Sequence, residues 1–430
     1  MIVYVACAIF LISYVLIATE KVHRVAAALG GVAAMTLVGL VDAHSAFFDE
    51  LTGVDWNVVA LLFGMMVVVS VLRHTGLFEY IALWAVRASR GSPRRLLVLM
   101  IVITAVFSPI LDNVTTVLLV APVALAVCER LELKPAPHLI GVVLASNIGG
   151  LSTLIGDPPN LIIASRAGLS FNDFLANALP LVVVLLFVLV GLMMVLFRRE
   201  LATKADVDAA ETSLDPTTAV PDRGLLIRCL VVLVVILAGF CAHTWIGVEP
   251  SVVALLGAGA MVLVSRTKPE QFLAEVEWQT LAFFMALFVL VGALVKVGII
   301  GQLGRMAADA IGGNELAGAT GLLVGSAAIG ALVDNIPYTT AMVPIAHDVV
   351  ASLGHTGAAS PLWWSFVFGA DLGGNATAVG AAANVVVLGI AAKAGHPISF
   401  WEFTKKGLVV TAVTVAIAWL YVWLRYFVIA

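Results

Sequence analysis

Long uninterrupted apolar runs constrain this chain more than any other feature of its sequence. Many of them reach about 18–25 residues, which is enough for a helix to cross a bilayer whose hydrocarbon core is ~30 Å thick. The pattern therefore predicts an all-α, polytopic membrane protein embedded in a lipid bilayer. The runs lie near 1–18, 25–41, 57–72, 139–165, 174–197, 225–243, 251–265, 278–296, 363–392 and 407–428.

The overall composition agrees with membrane insertion and excludes other classes of protein. Of the 430 residues, 62% are apolar and only 12% are charged, whereas a soluble domain is about half apolar and about a quarter charged. The formal net charge is −4 and no block of basic residues occurs, so a nucleic-acid partner is not expected. No GxxxxGK[ST] loop occurs either, so ATP hydrolysis within this chain is not expected to drive transport.

Two further apolar stretches, about 96–128 and about 317–352, are interrupted in the middle by polar residues. We interpret each as a re-entrant hairpin whose two half-helices meet inside the membrane, with a pair of kinked full spans as the alternative. Seven Lys and Arg residues between Arg73 and Lys134 flank the first stretch, and few flank the second. Since basic residues stay in the cytoplasm, the first hairpin should enter from inside and the second from outside. The same rule predicts a plasma (inner) membrane protein with both termini outside.

A single long polar stretch, residues 198–224, divides the chain into halves of similar length. We predict that it is a cytoplasmic linker between two repeats. The first repeat is 1–197, with a hairpin at about 96–128 and a broken helix at about 139–165. The second is 225–430, with a hairpin at about 317–352 and a broken helix at about 363–392.

Two pairs of matching motifs indicate that the halves arose by duplication. SPILDNVTTVLLVAPV in the first half matches GALVDNIPYTTAMVPI in the second, which aligns Asp112-Asn113 with Asp334-Asn335. SNIGGLSTLIGDPPN and ADLGGNATAVGAAAN share five identities in an alignment without gaps. Because the flanking charges give the copies opposite orientations, the prediction is an inverted repeat, the architecture of a secondary transporter.

Glycine pairs and acidic residues within these motifs suggest a binding site. Gly149-Gly150 and Gly373-Gly374 weaken their helices and can free backbone carbonyls for a cation such as Na⁺, although close helix packing is an alternative explanation. Four acids fall in membrane segments, where a carboxylate is costly unless it is paired or functional: Asp112, Asp157, Asp334 and Asp371.

The acids differ in how they follow the repeat. Asp157 aligns with Ala381 and Asp371 aligns with Asn147, so these two break the symmetry, as expected if one half titrates or binds a cation. Helix capping is an alternative role for Asp112 and Asp334. No Lys or Arg falls inside the four motifs. This favours a neutral hydroxylated solute or a cation over a di- or tricarboxylate.

In these motifs the sequence resembles the ion-transporter superfamily, and within it the ArsB-type arsenite permeases and the P protein (pink-eyed dilution) group. The resemblance implies a scaffold domain and a transport domain that moves like an elevator, usually in a homodimer. It rests on LDNVTTVLLVAPV (111–123), ASNIGGLSTLIGDPPN (145–160), DNIPYTTAMVPI (334–345) and GADLGGNATAVGAAANVV (369–386).

The resemblance also implies that substrate and coupling ion bind between the two hairpin tips and the two broken helices. Carried over to this sequence, that site consists of Asp112, Asn113, Thr115, Thr116, Asn147, Gly149, Gly150, Thr153, Asp334, Asn335, Thr339, Thr340, Asp371, Gly373, Gly374 and Thr377.

The function expected from motifs and resemblance together is efflux of arsenite and antimonite, driven by a proton gradient or the membrane potential. A Na⁺/H⁺ antiporter is the alternative, and transport of a carboxylate or another anion ranks below both. No resident cofactor or metal is expected, only a coupling H⁺ or Na⁺. A passive channel would not need the repeat, and no constellation typical of an enzyme stands out. For some ArsB-type permeases the resemblance further implies a soluble ATPase partner.

Overall fold

The structure is a computed structural model that describes residues 2–19, 22–49, 51–202, 220–354 and 357–429. Every regular element in these ranges is helical. Residues 203–219, the greater part of the predicted linker 198–224, lie outside the described residues.

The helices are numbered here in chain order. They are α1 (Ile2–Thr19), α2 (Arg24–Leu37), α3 (Ala43–Phe47), α4 (Trp56–Arg73), α5 (Leu77–Ser89), α6 (Pro93–Leu111), α7 (Asn113–Arg130), α8 (Pro135–Gly150), α9 (Pro158–Ala167), α10 (Phe171–Asn177), α11 (Leu179–Leu196), α12 (Arg223–Ile246), α13 (Pro250–Ser265), α14 (Pro269–Glu275), α15 (Trp278–Lys296), α16 (Ile299–Ile311), α17 (Glu315–Gly330), α18 (Asn335–Ser352), α19 (Pro361–Gly373), α20 (Ala382–Lys393) and α21 (Phe400–Trp423).

Eight of the described helices are long and apolar enough to cross a membrane: α1, α4, α6, α7, α11, α12, α15 and α21 with its π-helical extension. Helices α2, α13, α17 and α20 are apolar but shorter. The predicted all-helical membrane protein is therefore confirmed at the level of its helices.

Helices α8 and α19 form the centre of the protein. Nearly every residue of α8 and every residue of α19 is buried, as expected for helices that are apolar on all sides. Helices α1, α11 and α12 instead leave most of their apolar side chains exposed. This outer surface has the composition needed to contact lipid tails.

The polar interruptions of the sequence are breaks between helices in the structure. Only Asp112 separates α6 from α7, and residues 331–334 separate α17 from α18. At the glycine pairs, α8 ends at Gly150 and α19 ends at Gly373. Helices α6 and α7 have 19 and 18 residues. Each is long enough to cross the membrane by itself, so the re-entrant hairpin remains a prediction.

Glycine also allows the central helices to touch α6 and α17, the first helices of the two predicted hairpins, through their backbones. A Cβ on Gly149 of α8 would lie 2.9 Å from both Cα and O of Ala105 in α6. A Cβ on Gly373 of α19 would lie 2.7 Å from the carbonyl oxygen of Ala327 in α17. Close packing, the alternative role for these glycines, is thus observed at Gly149 and Gly373.

We expect Gly149→Ala to force α6 and α8 apart, because backbone atoms rather than a flexible side chain occupy the required space. Overpacking of this kind costs about 1–3 kcal/mol, so the midpoint of thermal unfolding in detergent should fall. The matched control is Gly191→Ala in α11, where a Cβ meets no atom within 4 Å. The control should unfold at or above the wild-type temperature, since alanine favours helix. Equal midpoints for the two variants would contradict the close backbone contact.

Candidate functional site

The four sequence motifs meet in the interior at the ends of their helices. Asn113 begins α7, Asn335 begins α18, and Asp157 immediately precedes α9. Asn147 and Asp371 lie in the last turns of α8 and α19. These five side chains are buried, with at most 3% of their surface exposed. The structure therefore brings together one polar residue from each predicted hairpin, two from the first interrupted helix and one from the second.

A chain of amide hydrogen bonds joins the halves of the protein at this point. Asn113 Nδ2 donates to Asp157 Oδ2 at 2.8 Å and to Asn147 Oδ1 at 3.2 Å. Asn147 Nδ2 in turn donates to Asn375 Oδ1 at 2.9 Å and to Asn384 Oδ1 at 3.1 Å. Asn147 therefore connects Asn113 with two asparagines of the second half of the chain.

Two further asparagines, Asn160 and Asn384, donate hydrogen bonds to backbone carbonyls at the breaks in the central helices. Asn160 Nδ2 donates to the carbonyl oxygens of Gly150 and Thr153 at 3.2 and 3.0 Å. Asn384 Nδ2 donates to those of Gly374 and Thr377 at 2.7 and 2.8 Å. Backbone carbonyls released by the breaks, which we expected to be ligands, thus already accept hydrogen bonds from the protein. The two sets of contacts are equivalent in the alignment of the repeats.

The threonines of the central motifs point toward the hairpins. Thr153 Oγ1 donates to the carbonyl oxygen of Pro109 at 2.5 Å, and Thr377 Oγ1 donates to that of Ala331 at 2.6 Å. These hydroxyls therefore hold each broken helix to the hairpin of its own half. Their role in the structure is positional.

At the first hairpin tip, Asp112 has the capping role that the sequence left as an alternative. Its φ of 70° is a conformation that residues other than glycine rarely adopt. Its carboxylate accepts from Thr115 N at 2.8 Å and from Thr115 Oγ1 at 2.7 Å. Thr116 Oγ1 donates to the Asp112 carbonyl oxygen at 2.6 Å. Asp112, Thr115 and Thr116 thus bond mainly to one another and shape the start of α7.

The second tip differs, because its aspartate faces a cation from another part of the chain. Arg24 Nη1, at the start of α2, lies 3.7 Å from Asp334 Oδ2, and the Arg24 guanidinium stacks on the Phe283 ring of α15. The sequence motifs did not contain Arg24. The one sequence feature that could have pointed to Arg24 is that this basic residue stands at the start of an apolar run.

Among the remaining predicted residues of this tip, Asn335 lies beside Asp157. Thr340 Oγ1 donates to the Ile336 carbonyl oxygen within its own helix at 2.9 Å. The Thr339 hydroxyl is buried without a hydrogen-bond partner among the described residues. Thr339 is thus free to contact a ligand, whereas Thr340 is committed to the backbone.

Unpaired acceptor oxygens mark the centre of the site. Within the described ranges these buried atoms have no donor: Asn113 Oδ1, Asp157 Oδ1, Asn160 Oδ1 and both carboxylate oxygens of Asp371. Buried acceptors without donors cost free energy. Asn375 Nδ2 is likewise a buried donor without an acceptor among the described residues. The concentration of unpaired polar atoms makes this network the candidate binding site.

Four residues of this network were not among the predicted site residues. Asp157 was noted only as a buried acid without a counterpart in the second half, yet it accepts from one hairpin tip and lies beside the other. The three asparagines lie close to the predicted glycines in the sequence. The repeat itself, which aligns Asn160 with Asn384, was the signal that could have found these two, whereas Asn375 aligns with Leu151 and had no such signal. The four are Asp157, Asn160, Asn375 and Asn384.

A cavity of about 360 Å³ lies beside the segment between α8 and α9. Leu154 and Leu161 form its inner wall, while Asn57, Ser165 and His243 are among its polar lining residues. The cavity therefore lies between the first broken helix and the first turns of α4.

Comparisons with known proteins agree with these features. The sequence profile of a family described as CitMHS, citrate transporter, matches residues 14–369. An uncharacterized transporter of Mycobacterium bovis is 50% identical over 425 residues, covering 99% of both chains. The P protein of Homo sapiens is 33% identical over 504 residues, covering 98% of this chain and 60% of the human protein. The predicted likeness to the P protein group is thus confirmed.

Solved structures with a related fold are also transporters. The YdaH transporter of Alcanivorax borkumensis has a TM-score of 0.60 and 17% identity, with 91% of this chain and 88% of that chain covered. MtrF of Neisseria gonorrhoeae, described within a class of antimetabolite efflux pumps, has a TM-score of 0.52 and 10% identity, with 100% and 95% covered. At these identities the likeness concerns the fold alone.

We expect Asn384→Ala to destabilise the protein strongly. It leaves the carbonyls of Gly374 and Thr377 without this donor and removes one of the two acceptors of Asn147 Nδ2, and a buried group left unpaired costs about 1–3 kcal/mol. Asn172→Ala is the control, because the half-buried Asn172 donates a single bond to the Cys241 carbonyl oxygen. Thermal unfolding in detergent should show the larger decrease for Asn384→Ala. A decrease no larger than that of the control would rule out a central role for this asparagine.

Proposed function

The chain belongs to the CitMHS citrate transporter family, a group of membrane transporters, and from this premise we propose that it is a secondary active transporter that exports arsenite and antimonite. Export is driven by a proton gradient or by the membrane potential. The observation that carries the proposal is the chemistry of the buried network, which consists of amides, hydroxyls and carboxylates. The described hydrogen bonds of Asn113, Asn147 and Asp157 involve no Lys or Arg.

The unpaired oxygens of the site match a solute with several hydroxyl donors. Arsenite is mainly the neutral As(OH)₃ near pH 7, so it needs no counter-charge and presents only hydroxyl groups. Asn113 Oδ1 and Asp157 Oδ1 are buried acceptors without a donor among the described residues. A buried polar site gains affinity for a ligand that pairs such atoms and rejects one that leaves them unpaired.

The architecture that goes with this proposal is a pair of inverted repeats, 1–197 and 225–430, joined by a cytoplasmic linker at 198–224. The support is that each half carries the same asparagine-to-carbonyl and threonine-to-hairpin bonds. In an elevator movement the hairpins and broken helices travel as one body against a scaffold. The Arg24–Asp334 ion pair then joins the scaffold helix α2 to the moving part. A homodimer, external termini and a soluble ATPase partner remain part of the proposal.

A Na⁺/H⁺ antiporter is the second candidate, and the same unpaired oxygens favour it. Carboxylate and amide oxygens are the ligands that hard cations prefer, and both Asp157 and Asp371 offer them. A Na⁺/H⁺ antiporter exchanges only these two ions and transports no further solute. It differs from arsenite export in that sodium alone should release protons.

The family's description makes a carboxylate the third candidate. The acids within the site oppose an uncomplexed citrate anion, because like charges in a buried site repel one another. The Arg24 guanidinium lies at the second tip, where Asp334 faces it. A carboxylate therefore fits this site less well than a neutral solute.

We expect everted membrane vesicles that contain this protein to accumulate arsenite when a pH gradient is imposed. Asn113→Ala and Asn335→Ala should each lower that uptake by roughly tenfold or more, because a hydrogen bond in a charged site contributes about 1.5–3 kcal/mol. Asn172→Ala, which lies outside the network, should retain uptake. The same vesicles are tested with sodium alone and with citrate.

The three candidates give different results in this assay. Arsenite accumulation that depends on the gradient and on both tip asparagines supports export. Collapse of the pH gradient by sodium without arsenite would replace the proposal with the antiporter. Citrate accumulation without arsenite movement would replace it with carboxylate transport.

A further inference from the structure

The cavity of about 360 Å³ beside the first broken helix lies outside the network of buried amides. Its volume would hold roughly ten water molecules, at about 30 Å³ for each molecule in the liquid. Helices α4, α9, α12 and α13 supply most of its lining, and each contributes polar side chains. These are Asn57, Ser165, His243, Thr244 and Ser251. A polar cavity of this size is expected to contain water.

The lining of this cavity changes from polar at one end to apolar at the other. Asn57 and Thr244 are exposed and stand at its mouth. Leu61, Leu154 and Leu161 are each only 3% exposed and form its inner end. Since an apolar constriction excludes water, the cavity opens to solvent at its polar end and is closed by leucines at the other.

The charges of the sequence assign the mouth of the cavity to the outer face of the membrane. The mouth lies at the start of α4 and the end of α12. The loop before α4, residues 42–55, contains four acids and no Lys or Arg, so it is predicted to be external. Helix α12 follows the linker that we predict to be cytoplasmic, and its far end therefore also lies outside.

The inner end of the cavity adjoins the buried network through two pairs of neighbouring residues. Thr153 Oγ1 donates to the Pro109 carbonyl oxygen at 2.5 Å, while the next residue, Leu154, lines the cavity. Asn160 Nδ2 donates to the Thr153 carbonyl oxygen at 3.0 Å, while the next residue, Leu161, lines the cavity. The two leucines therefore separate the water of the cavity from the network.

We propose that this cavity is the outer vestibule through which the transported solute leaves the protein, and that Leu154 and Leu161 form the barrier between it and the buried site. The inference rests on the proposed function, because an exit path has meaning only in a transporter. A movement of the broken segment that shifts Thr153 or Asn160 also shifts the adjacent leucine. Rearrangement of the site and opening of the barrier are thereby linked.

Packing divides the walls of the vestibule into two groups. On one side, α4 and α13 contact each other through their backbones, since a Cβ on Gly64 would lie 2.8 Å from the Ala254 carbonyl carbon. On the other side, α9 carries Leu161 and belongs to the first broken helix. In the proposed elevator movement α9 travels while α4 and α13 stay in place, so the barrier opens along this wall.

The lining also indicates which solutes the vestibule suits. Glu249 is exposed at its mouth, and no Lys or Arg occurs among the described residues that line it. The His243 Nε2 atom accepts from the Phe171 N–H at 3.5 Å, and the other polar groups are hydroxyls and an amide. Because a cleft lined by negative charge repels anions, the vestibule suits a neutral hydroxylated solute or a cation better than an uncomplexed carboxylate.

Cysteine labelling of intact cells tests the vestibule. Each variant carries one new cysteine in a background in which the four native cysteines are replaced by alanine. A membrane-impermeant methanethiosulfonate reagent is added outside, and everted vesicles are then prepared and assayed with arsenite, sodium and citrate. Thr244→Cys should be labelled, and its bulky adduct should lower by tenfold or more whichever of the three activities the unlabelled variant shows.

Two control positions separate blockade of the vestibule from labelling itself. Ala43→Cys, exposed in α3 on the same predicted face but outside the cavity, should be labelled without loss of transport. Val183→Cys, 46% exposed on the apolar surface of α11, should stay unlabelled because lipid covers it. Transport by labelled Thr244→Cys that equals that of labelled Ala43→Cys overturns the exit path. So does labelling of Thr244→Cys in everted vesicles but not in intact cells.

The leucine barrier is tested without any transported solute. Leu161→Ala should make an imposed pH gradient decay severalfold faster in vesicles, because a wider apolar constriction admits water. Leu189→Ala removes the same volume from a fully buried leucine of α11 that does not line the cavity, and should decay like the wild type. Equal decay in the two variants overturns the barrier. This measurement needs no arsenite, so the vestibule and arsenite export fail separately.

Discussion

The architecture depends on how two asparagine side chains satisfy backbone carbonyls in the apolar interior. A helix break there leaves carbonyls that neither water nor the next helical turn can pair, and each unpaired group costs several kcal/mol. Asn160 and Asn384 each pair two of these carbonyls through one amide. The breaks in turn create the ends of α8 and α19, which carry Asn147 and Asp371, and Asn147 there contacts Asn113 at the first tip.

Packing and polarity work together around these breaks. Gly149 and Gly373 bring the central helices against the hairpin helices α6 and α17, and Thr153 and Thr377 hold them there through the hairpin carbonyls. Because these side chains are committed to positioning, they do not compete for the ligand. Among the described residues of the network, unused polar atoms remain on Asn113, Asp157, Asn160, Thr339, Asp371 and Asn375, which is a smaller and more acidic set than the motifs contain.

Periodicity and composition predicted the helices, because an apolar run long enough to cross a bilayer has few other stable conformations. The motifs also identified most of the segments that meet in the interior. Side-chain roles were less predictable. Asp112 and Asp334 are equivalent in sequence, yet one caps α7 and the other faces Arg24 from α2. That difference arises from a contact between residues far apart in the chain, which no local pattern encodes.

The positions at which the two halves keep the same residue, and those at which they differ, can be related to what each side chain does. Where both halves need the same rigid element, they keep the same residue, as with Asn160 and Asn384, which close equivalent breaks. At one differing position, the first half has the amide Asn147 and the second half has the acid Asp371. Asn147 is always a donor, whereas Asp371 donates only with a proton bound.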